Sequence, residues 1–262
     1  MRSNKIRTLL ASGKPTLGTH LFLDSPTVVE TVGQTGVFDY IEFLGEYAAY
    51  DLRSLEDFSR AAELHDLGTM IKVDYESRRF VAQRSVGAGF EGVLFADSRS
   101  VDDVVSCIKS VKPDHPHYAG SFGVGARRHA RPGYGGTLRY VQALDDIVVA
   151  IMIEKANAVE SLDAILELPG IDMVQWGPSD YCMSIGRPGE QMSEAVRAVE
   201  RHVIDSCHSA GVPVRAELGD FAEAKYYLDL GVRHFCLGYD LTSIFTVLRR
   251  EGEQLREVLD TA

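Results

Sequence analysis

Basic residues are scarce in this chain. Lysine and arginine together number 27 against 38 aspartates and glutamates, which leaves a net charge of −11 with histidine neutral. Phosphate backbones are gripped by basic patches, so this balance argues against a nucleic-acid partner. It leaves small anionic substrates open, because a local basic site fits inside an acidic protein. Cysteine is sparse and scattered: Cys107, Cys182, Cys207 and Cys236 show no CxxC spacing, so neither a thiolate zinc site nor a disulfide framework is predicted. Reduced thiols in a cytoplasmic protein are the expectation. No apolar run approaches the roughly 18 residues that a membrane span needs. The N-terminal MRSNKIRTLLASGKPTLG has no signal-type apolar core and reads as a short amphipathic helix ended by Gly13 and Pro15. A GxGxxG after the first strand-like run and a P-loop are both missing, which removes the common nucleotide-binding signatures.

What is present is a rhythm. In 262 residues, eight β-rich runs alternate with helical segments. The runs are Thr16–Leu23, Tyr40–Leu44, Met70–Val73, Val93–Phe95, Val148–Ile153, Asp172–Trp176, Val212–Leu218 and His234–Leu237. Helical spacing fills Pro26–Gln34, Leu52–His65, Arg78–Ala88, Val101–Ser110, Met192–Ala210, Phe221–Leu230 and Leu241–Leu259. This pattern predicts an α/β fold, a single (β/α)8 TIM barrel over residues 1–262 preceded by an N-terminal helix. One long loop, 111–147, interrupts it between the fourth helix and the fifth strand. Its first half is rich in Gly, Pro, His and Arg, and Leu138–Leu144 reads as a short helix leading back. Loops of this length in compact domains are commonly functional. With the loop taken to emerge on the catalytic side of the fourth strand, Arg127, Arg128 and Arg131 become candidates for binding a substrate carboxylate, with a solvated role as the alternative.

The stretch from Val148 to Tyr181 carries the sharpest chemistry. It reads strand, crossover helix, strand, and each strand closes on a carboxylate: Glu154 after the first, Asp180 in the Gly177-Pro178-Ser179-Asp180 run after the second. Parallel neighbours put their carboxyl ends on one face, so Glu154 and Asp180 are expected side by side. Two hard oxygen ligands without Cys or His suit Mg²⁺ or Mn²⁺ better than zinc. The plainer alternative has Glu154 capping a helix and Asp180 forming a turn.

Barrel chemistry lies at strand carboxyl ends. In strand order the chain delivers there His20; Glu42, Glu46 and Tyr47; Lys72 and Asp74; Asp97; Glu154; Gln175, Ser179 and Asp180; Arg215 and Glu217; and Tyr239 and Asp240. Alternation decides which of these point inward, and the sequence leaves that phase open. Many carboxylates with one lysine, one histidine and one tyrosine suit carbonyl chemistry on an anionic substrate whose charge a metal offsets.

These residues resemble the HpcH/HpaI aldolases over nearly the whole chain. The resemblance rests on RTLLASGKPTLGTHL, on GEY-x-x-x-DL after the second strand, on GVG with a basic run in the long loop, on the E…GPSD pair, and on KYYLDLGVRHFCLGYD. It implies a (β/α)8 barrel and a metal-dependent, class II carbon–carbon lyase that works on a 2-oxo acid through a pyruvate enolate. It implies that Glu154 and Asp180 ligate Mg²⁺ or Mn²⁺, with Co²⁺ also accepted. Gly177, Pro178 and Ser179 then form the turn whose N–H groups cradle the substrate carboxylate. A homo-oligomer follows, a hexamer or trimer of dimers that exchange the last barrel helix, although packing of that helix on its own barrel explains its sequence equally well.

The chain departs from the family where catalysis matters. The family's acid–x–Glu–His run is here Leu44-Gly45-Glu46-Tyr47, its strand 3 arginine is Lys72, and its helical supporting aspartate aligns with Gly87. His20 replaces a tryptophan, and Arg215 and Glu217 replace an apolar wall. The expected catalytic set is therefore Tyr47, Lys72, His20 and Glu46, with Gln175, Arg127 and Arg215 as further substrate contacts. Glu46 orients a metal-bound water, Lys72 shares the enolate charge, and Tyr47 moves a proton on the departing part. A free tyrosine is a poor base at neutral pH. Three outcomes follow: another group such as His20 replaces the base, the reaction becomes decarboxylation of a 2-oxo acid, or the barrel is a non-catalytic 2-oxo-acid binder. A Schiff base on Lys72 is a lesser alternative, and His20 and Tyr47 as plain wall residues are the bland one. The extra polar groups suggest a second substrate, an aldehyde more polar than a simple aliphatic one.

Overall fold

The computed structural model describes residues 3–117, 119–125, 128 and 137–261. The eight apolar runs become eight parallel strands, β1 (Thr16–Leu21), β2 (Tyr40–Phe43), β3 (Gly68–Val73), β4 (Gly92–Phe95), β5 (Val148–Ile153), β6 (Met173–Trp176), β7 (Val214–Leu218) and β8 (His234–Tyr239). Each pairs with the next and β8 closes on β1, as the alternation predicts for a barrel. The helices are α1 (Lys5–Ala11), α2 (Pro26–Gln34), α3 (Leu52–Leu64), α4 (Arg78–Ala88), α5 (Val101–Val111), α6 (Leu138–Asp145), α7 (Ala156–Glu160), α8 (Leu162–Leu166), α9 (Pro178–Ser184), α10 (Glu194–Ser209), α11 (Ala224–Asp229) and α12 (Asp240–Asp260). Strand ends shift from expectation by a few residues.

Two differences are larger. The crossover between β5 and β6 is two short helices meeting at Ser161 rather than one. The Gly-Pro-Ser-Asp run is the start of α9 rather than a bare turn: Gly177 caps it and Pro178 takes the first position, where its missing N–H costs no helical bond.

The strands resolve the phase that sequence left open. Tyr40, Met70, Leu94, Val148, Ala150, Met152, Met173 and Cys236 pack together inside the barrel. The alternate residues, Ile41, Phe43, Ile71, Val73, Phe95, Ile151, Val174 and Ala216 among them, face the helices. By this alternation His20, Glu42, Lys72, Glu154, Gln175, Arg215 and Glu217 also point inward, above the apolar layer. Register then decides who meets whom: His20 lies beside Glu42, and Gln175 beside both Met152 and Arg215.

The amino end is sealed by α1. Ile6 joins the inner cluster, and Arg7 forks onto Asp172 at 2.5 and 2.6 Å. Asn4 Nδ2 donates to the carbonyls of Glu91 at 2.6 Å and Asp146 at 2.9 Å.

The long loop corrects the sequence reading. Helix α5 has already carried the chain back to the amino end, so the loop leaves from there and not from the catalytic face. Arg128 accordingly pairs with Glu63 and lies against Gly89 beside Asn4 and Asp146. Arg127 and Arg131 lie outside the described residues. The last helix also differs from ordinary packing: α12 has no buried residue and exposes Ile244, Phe245, Leu248, Leu255 and Val258. No helix among the described residues is long and apolar enough to cross a membrane.

Candidate active site

A cavity of about 340 Å³ opens at the carboxyl ends of the strands, lined by Tyr47, Lys72, Glu154, Gly177, Asp180, Glu217 and Tyr239 among others. Glu154, one residue past β5, is 1% exposed. Its Oε1 accepts the backbone N–H of Asp97 at 2.6 Å. Asp97 stands at φ +57°, a left-handed conformation that aspartate tolerates better than most residues and that here accompanies the amide's bond to the carboxylate. Gly177 permits the next approach, because a Cβ there would sit 2.7 Å from both Cβ and Oε2 of Glu154. Burial pushes the Glu154 carboxyl up to about 7, with Asp180 and Asp97 adding repulsion, against the pull of Lys72 and the Asp97 amide.

Asp180, in the first turn of α9, lines the same cavity and is near enough to Glu154 to act on its charge. Its Oδ1 receives Lys155 Nζ at 3.0 Å, and the same ammonium is 2.5 Å from Asp97. The sequence pattern does not single out Lys155, although its place directly after Glu154 is the available signal. Among the described residues no group of three or more His, Cys, Asp or Glu could hold a metal alone. Two carboxylates suit Mg²⁺ or Mn²⁺, which complete their shell from water and substrate oxygens, and suit zinc poorly. A buried carboxylate held near neutrality, with a glycine cleared beside its free oxygen, fits such an ion.

Lys72 faces the pair from β3. Nζ is 2.8 Å from Glu46 Oε2 and donates to Tyr47 Oη at 3.0 Å, lying 4.8 Å from the centre of that ring. Burial alone would lower the ammonium, but Glu46 and Glu154 outweigh it and hold it well above the lysine range. A Schiff base needs the neutral amine, so this environment disfavours that alternative. Glu46, expected to orient a water, is turned to Lys72 instead. Tyr47 is 56% exposed at the cavity wall. Burial of its phenol pushes it up to about 12 despite Lys72, so it is no base at neutral pH.

The other predicted residues form a second cluster on β1, β2, β6, β7 and β8. His20 is fully buried and stacks on Tyr239 with centroids 4.7 Å apart. Its Nδ1 lies 2.9 Å from the carbonyl of Gly238, which can only accept, so Nδ1 carries the proton. Nε2 faces Glu42 at 3.6 Å and Glu217 at 3.8 Å, with no hydrogen-bond partner. His20 therefore sits behind the wall rather than in the cavity. Arg215 borders the cavity but is 0% exposed, closed in by Glu42 at 2.5 Å, Gln175 Oε1 at 2.7 Å and Tyr40 Oη at 3.3 Å. Burial alone would raise the Glu42 carboxyl, but Arg215, His20 and Lys72 together hold it below the ordinary range. Gln175 bridges this pair to Glu217, donating to its Oε2 at 3.0 Å, and the Tyr239 hydroxyl donates to Oε1.

Of the GPSD amides, Gly177 N–H is already bonded to the Ile153 carbonyl at 3.1 Å and Pro178 has none. Ser179, in the first turn of α9, belongs to the set of helix-opening amides that find no carbonyl one turn earlier. Sequence reasoning also missed Glu200. It borders the cavity, is 1% exposed, and accepts from Arg197, Tyr226 and Tyr227 at 2.5, 3.1 and 2.8 Å. A charge inside a helical segment reads as solvated surface, so nothing in the sequence marked it.

The comparisons agree with this architecture. The family model for HpcH/HpaI aldolase/citrate lyase matches residues 19–246. A hydroxypyruvate/pyruvate aldolase of Paraburkholderia phytofirmans is 26% identical over 261 residues, covering 98% of each chain. The HpcH/HpaI aldolase crystal structure from Desulfitobacterium hafniense superposes with TM-score 0.87 at 24% identity, covering 97% of this chain and 98% of that one. The citrate lyase beta subunit from M. tuberculosis, complexed with oxaloacetate and magnesium, has TM-score 0.55 at 14% identity over 88% of this chain and 93% of that one, a likeness of fold. The closed barrel and the profile match over most of its length place this chain in the HpcH/HpaI aldolase/citrate lyase family.

Proposed function

We propose that the protein is a metal-dependent carbon–carbon lyase that makes or breaks the bond to C3 of a 2-oxo acid by way of the pyruvate enolate. The observation that carries this reading is the buried Glu154 carboxylate beside Asp180 at adjacent strand ends, with Gly177 cleared against it. Glu154 and Asp180 would hold Mg²⁺ or Mn²⁺. When bound, the ion supplies Lewis acidity to the substrate's keto oxygen.

The chain's own residues then divide the work. Ser179, at the start of α9, receives the substrate carboxylate. Lys72, kept charged by Glu46, faces the oxygen on which negative charge develops and stabilises it without reorganising. Tyr47, protonated across the neutral range, serves as a proton donor and not as a base. That last point favours a second reading, decarboxylation of a β-keto acid, in which cleavage needs no base. The relative that acts on hydroxypyruvate and pyruvate, and the neighbour that binds oxaloacetate with magnesium, support the same substrate class. Pyruvate release from oxaloacetate with Mn²⁺ tests the reading. Turnover is expected to vanish with EDTA and return with Mn²⁺, and turnover that survives exhaustive chelation overturns it.

The exposed apolar row on α12 supports assembly with a second copy that buries Ile244, Phe245 and Leu248. Light scattering is expected to give an oligomer, and a monomer at micromolar concentration rejects this part alone.

A further inference from the structure

The charges around the cavity nearly cancel, and what remains is informative. Lys72 is matched by Glu46, Arg215 by Glu42, and Arg197 by Glu200. Lys155 is shared by Asp97 and Asp180. Glu154 and Asp180 face the divalent cation of the reading above, on which this inference rests. Among the described residues, that leaves Glu217 as the cavity carboxylate without a lysine or arginine partner. Its side chain is one-third exposed (33%) into the mouth.

Glu217 is fixed rather than floppy. Gln175 Nε2 holds Oε2 at 3.0 Å, the Tyr239 hydroxyl holds Oε1, and Gln175 is itself tied to Arg215 at 2.7 Å. Each carboxylate oxygen has two lone pairs, so one acceptor position per oxygen is left for a ligand. The guanidinium that would recognise a distal carboxylate, Arg215, is buried against Glu42 and does not reach the mouth.

We infer that Glu217, held by Gln175 and Tyr239, selects the half of the substrate that does not become pyruvate, accepting from uncharged hydroxyls and repelling carboxylates. The preferred partner of pyruvate is thus a hydroxyaldehyde. A half-buried acceptor that takes a hydroxyl gains a hydrogen bond without bringing a second charge into the mouth. The same acceptor facing an anion leaves two like charges in a poorly solvated mouth.

Glycolaldehyde and glyoxylate test this, since they match in size and differ by a hydroxymethyl against a carboxylate. Aldol addition of each aldehyde to pyruvate is measured with the Mn²⁺-loaded enzyme. Glu217→Gln is expected to lower the glycolaldehyde-to-glyoxylate ratio of kcat/KM at least tenfold, and Glu217→Asp to restore most of it. A ratio within twofold of wild type in Glu217→Gln overturns the inference. A wild-type protein that neither adds an aldehyde to pyruvate nor decarboxylates oxaloacetate sinks only the lyase reading. The comparison then becomes one of dissociation constants for the two corresponding adducts, 4,5-dihydroxy-2-oxopentanoate and 4-hydroxy-2-oxoglutarate. Equal constants overturn the inference there too.

Discussion

Both ends of the barrel are polar, yet they treat their charges differently. At the amino end, Arg7 meets Asp172 through two nitrogens, Asp172 also accepts the Val149 N–H at 2.9 Å, and Lys112 Nζ donates to the Ile147 carbonyl at 3.1 Å. Charges there are stitched to backbone groups that the barrel rim leaves unpaired, which is a structural use. At the carboxyl end, His20 Nε2, both Glu42 oxygens, Glu46 Oε2 and Arg215 Nη2 are buried without a well-directed hydrogen bond. Glu42 and Glu46 are held there by ion pairs to Arg215 and Lys72, at 2.5 and 2.8 Å, rather than by backbone amides. A fold that ties its charges to backbone groups at one end, and to other side chains at the end where the cavity opens, marks that open end as the place for chemistry.

The strongest way to break this contrast is Glu154→Gln. If the carboxyl end works as proposed, this variant loses about 10²–10³-fold in oxaloacetate decarboxylation. Calorimetric Mn²⁺ binding disappears with it while the fold is kept. Full metal affinity in the variant would remove the basis for distinguishing the two ends. Asp172→Ala probes the opposite end. Removing it strips the Arg7 fork and the Val149 bond, an expected loss of about 2–3 kcal/mol after allowing for the partial exposure of Arg7. Urea denaturation reads the loss, and activity per folded molecule stays at the wild-type level.

The contrast also explains what the sequence could reveal. The strand–helix rhythm and the acid at the end of each of two successive strands were legible because they depend on local periodicity and on the right-handed parallel crossover. The phase of the strands was not, since one residue of slip exchanges inside for outside. That phase turns Arg215, His20 and Glu217 inward alike, and their depth in the barrel then hides the first two and leaves Glu217 at the mouth. Arg128 lies away from the catalytic face for a topological reason: a helix returns the chain to the amino end before the long loop begins. The Glu200 cluster depends on α10 packing against α11, a contact that has no local trace in either segment.

Titration sharpens the comparison at smaller amplitude. The Glu154 carboxyl sits near 7, raised from 4.5 chiefly by burial. A cation binds the ionised form, so Mn²⁺ affinity is expected to fall about tenfold per pH unit below 7 and to level off above it. Stability of the metal-free protein has the opposite slope. A carboxyl whose folded pKa is raised contributes stability that is complete below the unfolded value and is lost as pH rises through the folded one. From this group, the melting temperature in EDTA should be higher at pH 5.5 than at pH 8, with Mn²⁺ closing the gap at pH 8. Affinity that is flat between pH 5.5 and 8 contradicts the assignment.

The smallest effect belongs to Tyr47. With its phenol pushed up to about 12 and its oxygen accepting from Lys72, it cannot be the base that starts cleavage. Tyr47→Phe removes one hydrogen bond to an ammonium that Glu46 already holds, a change of about 1 kcal/mol. The expected cost is roughly fivefold in kcat/KM for oxaloacetate, with the pH profile unmoved. A loss of a hundredfold or more, or a profile whose alkaline limb shifts, would instead make Tyr47 the proton-transfer group. The open end would then draw its chemistry from the exposed wall of the cavity, and the buried carboxylates would be secondary to it.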